Sequence, residues 1–383
     1  MIMVKPMKKI SKYKVDKLIL IPLIIFAIIS ILTIFSAQNL LPNYLQTLAL
    51  KQAIWYILGF LIAYFIMFIG NKFIYNNIWI FYTIGCILLV GLLLFAEPIN
   101  NAKCWFTLPF HLGTFQPSEF MKIILIFALS RTIHEFNENY QNPTKEEEFR
   151  LLFKVLGIVF IPSILTFLQP DTGVVLIYLL ITLFMLFVSG IRYRWFIYLG
   201  SILIGCIAFV LFLYFFNTDL FIDILGTDFF LRVDRLLDWS QSQGYQLENG
   251  LIAIGSGGLF GYGIGNTPIY FPEPQTDFIF AVFASNFGFI GTTFLLALII
   301  LFDIRLIITA LRNNSNSNKY IMAGILGMLL YQQFQNIGMT FGLMPITGIT
   351  LPFVSYGGSS LISYMIIAGV IFNISNETIR YTN

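Results

Sequence analysis

The chain has 383 residues, of which 58% are hydrophobic and only 11% charged, with mean hydropathy +0.83; a soluble domain carries about a quarter charged residues. That composition excludes a soluble globular enzyme and predicts an integral membrane protein. The net charge of +3 decides little, because placement of Lys and Arg matters more than their sum in a membrane. Cys86, Cys104 and Cys206 have neither CxxC nor metal-ligand spacing, so neither a disulfide framework nor a metal site is expected.

Hydrophobic stretches of spanning length fall at residues 18–35, 53–69, 78–95, 151–167, 173–189, 195–216, 278–302, 320–343 and 349–374. A tenth, at 115–130, is shorter and carries Glu119 and Lys122. Orientation requires it. The basic N-terminus (Lys5, Lys8, Lys9, Lys12, Lys14, Lys17) belongs in the cytoplasm, and with ten spans seventeen basic residues lie inside. Outside remain Lys51, Lys103, Arg232 and Arg235; dropping the short span would invert everything after it. The expected fold is an all-α polytopic membrane protein. It has about ten transmembrane helices, both termini cytoplasmic, and one transmembrane domain over 1–383. A large extracytoplasmic loop, about 217–276, joins helices 7 and 8.

This topology brings scattered polar residues to one level. Phe-Pro-Glu-Pro-Gln-Thr-Asp-Phe-Ile-Phe at 271–280 places Glu273 and Asp277 where the chain leaves water for hydrocarbon, a costly depth that marks function. Asp277 suits a helix N-cap as well as a reactive carboxylate. Glu119 and Lys122, at i and i+3, share the outer end of the fourth span. Asp171 lies in the outer turn between the fifth and sixth spans, and the run 347–360, with Ser355, enters the last span from outside. Gln332, Gln335 and Asn336 add a polar face. Each could be a structural pair, cap or turn; their convergence predicts a polar cavity open to the outer leaflet. The glycine-rich stretch 255–265 lacks a preceding strand, so it reads as a close-packed or re-entrant segment rather than a nucleotide loop. Cys104 is the cysteine expected to be reachable from outside.

Several ordered motifs resemble the SEDS family, the group containing RodA, FtsW and SpoVE. They are Asn101-Ala102-Lys103-Cys104-Trp105, Gln116-Pro117-Ser118-Glu119 with Lys122, Gln169-Pro170-Asp171-Thr172-Gly173 and Gly244-Tyr245-Gln246. The stretches 253–258, 272–280 and 347–360 complete the set. The resemblance covers essentially the whole chain. It implies a ten-helix peptidoglycan glycosyltransferase of the bacterial cytoplasmic membrane that polymerises lipid II on the outer face and releases polyprenyl pyrophosphate. It also implies a class B penicillin-binding protein as transpeptidase partner within an elongation or division complex, and no nucleic acid. No cofactor is required, although Asp171 and Glu273 could hold a divalent cation or substrate hydroxyls.

The resemblance implies Asp277 as catalytic base. Lys122, Arg232 and Arg235 become the candidate cations for the departing pyrophosphate, with Lys122 preferred and Glu119 holding it. Trp105 and Ser355 join the substrate-binding set. Departures are Cys104 for the usual Arg, Gln275 for a His, and Ser285-Asn286 for an acidic pair, the last bearing most on activity. A lipid II transporter and a non-catalytic scaffold for a transpeptidase are the rival readings.

Overall fold

In a bilayer, runs of Leu, Ile and Phe can satisfy their backbone polar groups only internally, and helices dominate this protein accordingly. The computed structural model describes residues 13–42, 45–98, 102–107, 113–237 and 244–382. Fourteen helices occur among them. The first seven are α1 (Lys17–Gln38), α2 (Leu48–Ile69), α3 (Asn71–Asn76), α4 (Ile78–Phe95), α5 (Pro117–Asn139), α6 (Lys145–Leu168) and α7 (Thr172–Val188). Then follow α8 (Arg194–Phe216), α9 (Thr218–Leu225), α10 (Thr227–Leu237), α11 (Gly244–Ser256), α12 (Ile279–Arg312), α13 (Asn316–Thr340) and α14 (Gly358–Thr382). A two-stranded antiparallel hairpin, β1 (Phe106–Thr107) and β2 (Thr114–Phe115), pairs Phe106 with Phe115 just before α5.

Seven helices, α1, α2, α4, α6, α8, α12 and α14, are long and apolar enough to cross a membrane. α7 is a shorter apolar helix of 17 residues. The short fourth stretch of the sequence is a full helix of 23 residues, α5, opened by Pro117 in its first turn. The last span starts later than its hydropathy suggests, because 347–357 carries no helix. Side-chain caps mark where the chain turns into helix: Asp16 for α1, Thr144 with Glu147 in a capping box for α6, Asp171 for α7 and Asn217 for α9.

α5, α7, α13 and α14 form the buried centre, with α2 packed along α14 and α13 along α7. α8 stands apart. Leu213 is its only buried residue, and with Phe221 and Val233 it makes a small separate core under α9 and α10. The Tyr214 hydroxyl donates to Asp234 Oδ1 at 2.6 Å and ties that unit together.

α12 is broken at Gly288, whose φ of 61° and ψ of −163° no side-chain-bearing residue adopts easily. The glycine-rich stretch docks there, as expected. Phe289 N–H donates to Gly258 C=O and Ile290 N–H to Leu259 C=O, while Tyr262 and Gly263 N–H reach the Ser285 and Asn286 carbonyls. A Cβ on Gly261 would sit 2.2 Å from the Asn286 carbonyl oxygen, so only glycine fits. The backbone groups freed by the break are thereby satisfied. Ser285 and Asn286, the departure that most concerned activity, are buried at this joint; Asn286 Nδ2 donates to Ser36 Oγ at 2.6 Å.

Candidate functional site

The first turns of α2, α5, α7 and α14 and the loops before α12 and α14 surround a cavity of about 720 Å³. Asp277, Glu273, Asp171, Glu119 and Trp105 all line it. Five candidates spread over residues 105–277 therefore meet in one space.

Asp277 does not cap α12: the cap residue is Phe278, without a side-chain cap bond. Its backbone is held instead. Asn336 Nδ2 donates to the carbonyls of Asp277 (3.0 Å) and Ile349 (2.8 Å). The carboxyl faces the cavity, and burial, aided by the neighbouring Glu273 charge, pushes its pKa up to about 7 against a hydrogen bond from Thr276. Glu273 sits at φ 50°, an unusual strain for a non-glycine residue, and accepts from Gln275 Nε2 (2.9 Å) and Thr276 Oγ1 (3.0 Å).

Asp171 is the cap. Val174 N–H donates to its Oδ1 at 3.2 Å, and Gln116 Nε2 donates to Oδ2 at 2.9 Å. Burial raises its pKa to about 6, opposed first by the Val174 hydrogen bond. Gln116 also accepts from Trp105 Nε1 at 3.2 Å, which links Trp105, Gln116 and Asp171 along one wall.

Lys122 lies deeper than the lining residues. Its side chain is 0% exposed, its ammonium donates to Glu119 Oε2 at 2.7 Å, and it lies 5.3 Å from the Tyr364 ring centroid. It stands behind Glu119 and does not line the cavity. Ser355 is likewise a joint: its hydroxyl donates to the Thr276 carbonyl (2.7 Å) and accepts from Leu351 N–H (2.9 Å), beneath the lining. Arg232 and Arg235 lie in α10 by backbone, and their side chains fall outside the described residues. Cys104 lines the cavity but is 2% exposed and donates to the Gln169 carbonyl at 2.9 Å, with burial pushing its thiol pKa up, all of which lower the reactivity expected of it. Among the described residues no three His, Cys, Asp or Glu converge to hold a metal ion.

Sequence reasoning missed Lys51, Trp55 and Tyr356 in the lining. The i, i+4, i+7 stripe of Lys51, Trp55 and Leu58 was a readable signal that one face of α2 looks inward.

The chain matches the FtsW/RodA/SpoVE family, described as cell cycle protein, over residues 14–380. It is 37% identical over 294 residues to stage V sporulation protein E of Bacillus subtilis, covering 74% of this chain and 73% of that one. It is 31% identical to a probable peptidoglycan glycosyltransferase FtsW of Lactococcus lactis, covering 94% and 92% of the two chains. Among solved structures, one titled for a peptidoglycan synthase complex coordinating polymerization and crosslinking matches with TM-score 0.76, 26% identity and 96% and 99% coverage. The rod shape determining protein RodA of Thermus thermophilus matches with TM-score 0.68, 26% identity and 94% and 96% coverage. With profile, relatives and fold in agreement over nearly its whole length, the chain belongs to the FtsW/RodA/SpoVE family of cell cycle proteins, the SEDS family.

Proposed function

We propose that this multi-pass membrane protein is a peptidoglycan glycosyltransferase that polymerises lipid II at the outer face of the bacterial cytoplasmic membrane. Relatives named peptidoglycan glycosyltransferase, such as MrdB of Helicobacter pylori at 31% identity over 93% of this chain, support the activity. The observation that carries the mechanism is Asp277: a carboxyl free of any cap duty, facing a cavity, with a pKa near 7. The acceptor hydroxyl of lipid II attacks the anomeric carbon of the growing strand. The bond to pyrophosphate breaks with its electron pair on the phosphate oxygen, and Asp277 takes the hydroxyl proton. Glu273 raises the basicity of Asp277, Asn336 and Ser355 fix its loop, and Trp105 offers an aromatic face to a sugar.

Ten spans with both termini in the cytoplasm place the cavity at the outer leaflet. One end of the bundle holds every lining carboxylate, which favours polymerisation over a midplane transport site. The solved relative in a synthase complex supports a crosslinking partner, a penicillin-binding protein. The test is labelled lipid II incubated with purified protein, with and without that partner. Long glycan product supports the reading; relocation of lipid II without product would establish the transporter instead.

A further inference from the structure

The cavity has an imbalance of charge. Glu119, Asp171, Glu273 and Asp277 line it, whereas the buried ammonium of Lys122 is paired with Glu119 and is not part of the lining. Cys104 contributes a buried neutral thiol to the lining. A polyanionic group would be repelled from such a space unless a cation met it.

One described cation lines the cavity: Lys51, in the first turn of α2. It is exposed, and no described carboxylate pairs with it. Directly below it on the same helix, Ile54, Trp55 and Leu58 line the wall, and Ile54 and Leu58 stay 48% and 41% exposed. A point charge over an apolar strip matches an amphiphile with an anionic head and a hydrocarbon tail. Trp55 packs against the start of α14, where a Cβ on Gly358 would come within 2.8 Å of the indole. Lys51 therefore has an apolar wall below it and an ammonium with no carboxylate partner among the described residues, in a cavity that carboxylates also line.

We infer that Lys51 binds the pyrophosphate of a polyprenyl-linked substrate, with Ile54 and Leu58 receiving the first isoprene units of its tail. The inference rests on the glycosyltransferase reading for the identity of the lipid and adds the residue that holds its head.

The test measures binding of polyprenyl pyrophosphate, and of the matching uncharged polyprenol, to the full chain in phosphatidylcholine nanodiscs. Wild type, Lys51→Met and Lys51→Arg are compared, with inorganic pyrophosphate as competitor. Lys51→Met is expected to weaken the pyrophosphate lipid about tenfold or more, as loss of a charged hydrogen-bond partner does. It should leave polyprenol unchanged, and Lys51→Arg should bind within about threefold of wild type. Lys51→Met binding the pyrophosphate lipid within about twofold of wild type overturns the assignment. Displacement by inorganic pyrophosphate as effective as by the lipid overturns the tail contact. Polymerisation of lipid II is scored separately. An inactive wild type whose lipid binding still depends on Lys51 sinks the catalytic reading alone; an active wild type with indifferent Lys51→Met sinks this inference alone.

Discussion

At the scale of single residues, two carboxylates that looked interchangeable in sequence have separate duties. Asp171 spends one oxygen on the α7 cap and the other on Gln116, whereas Asp277 spends neither on a cap. Cap or base could not be decided for Asp277 from sequence, because the first helical residue, Ile279, was not fixed by any local signal. Since burial and Glu273 raise Asp277 to about 7, its base form grows as pH rises through about 7. Initial polymerisation rates should follow an acid limb centred there. Glu273→Gln removes a like charge, so the limb should move to lower pH; a limb that stays or moves up would contradict the coupling. The Glu119–Lys122 pair is a matter of stability. Lys122→Met leaves Glu119, 6% exposed, without its partner, a change that costs about 3–5 kcal/mol for buried pairs. Adding Glu119→Gln should recover most of the lost thermal stability, as read by the melting temperature in detergent.

At the scale of elements, hydropathy located the helices well because length and apolar run are both enforced by the bilayer. It failed at the last span, where 347–357 is apolar enough to read as helix but is held open by long-range bonds. Ser355 to Thr276, Tyr356 N–H to Gln275 C=O, and Asn336 to Ile349 C=O fix that run from other elements. The same blindness hid the break in α12. Gly288 is one glycine in an apolar helix, and its meaning appears only when the 257–263 backbone docks on it. Gly261→Ala, at φ 77° and with no room for a Cβ, should undock the loop and lower the melting temperature more than Gly205→Ala, where nothing lies within 4 Å of an added Cβ. Equal melting temperatures would contradict the docking. The carboxylates were legible in sequence because they are costly at that depth; the spacing of Lys51, Trp55 and Leu58 could show an inward face of α2 but not a role for Lys51, because a lone lysine near a helix end is ordinary.

At the scale of the whole molecule, the proposed ten-span topology predicts that every cavity residue lies outside. N142C, between α5 and α6, should resist a membrane-impermeant maleimide in intact cells, and N266C, between α11 and α12, should react. The reverse pattern would move the cavity to the cytoplasmic face. The account stands or falls on Asp277→Asn, which preserves size and removes only the ability to take a proton. The measurement is glycan strand made from labelled lipid II by equal amounts of folded wild-type and Asp277→Asn protein with the transpeptidase partner. The account predicts unchanged melting temperature and partner binding with product formation reduced about 10²–10⁴-fold, the usual contribution of a positioned base. Near-normal product from Asp277→Asn would contradict it.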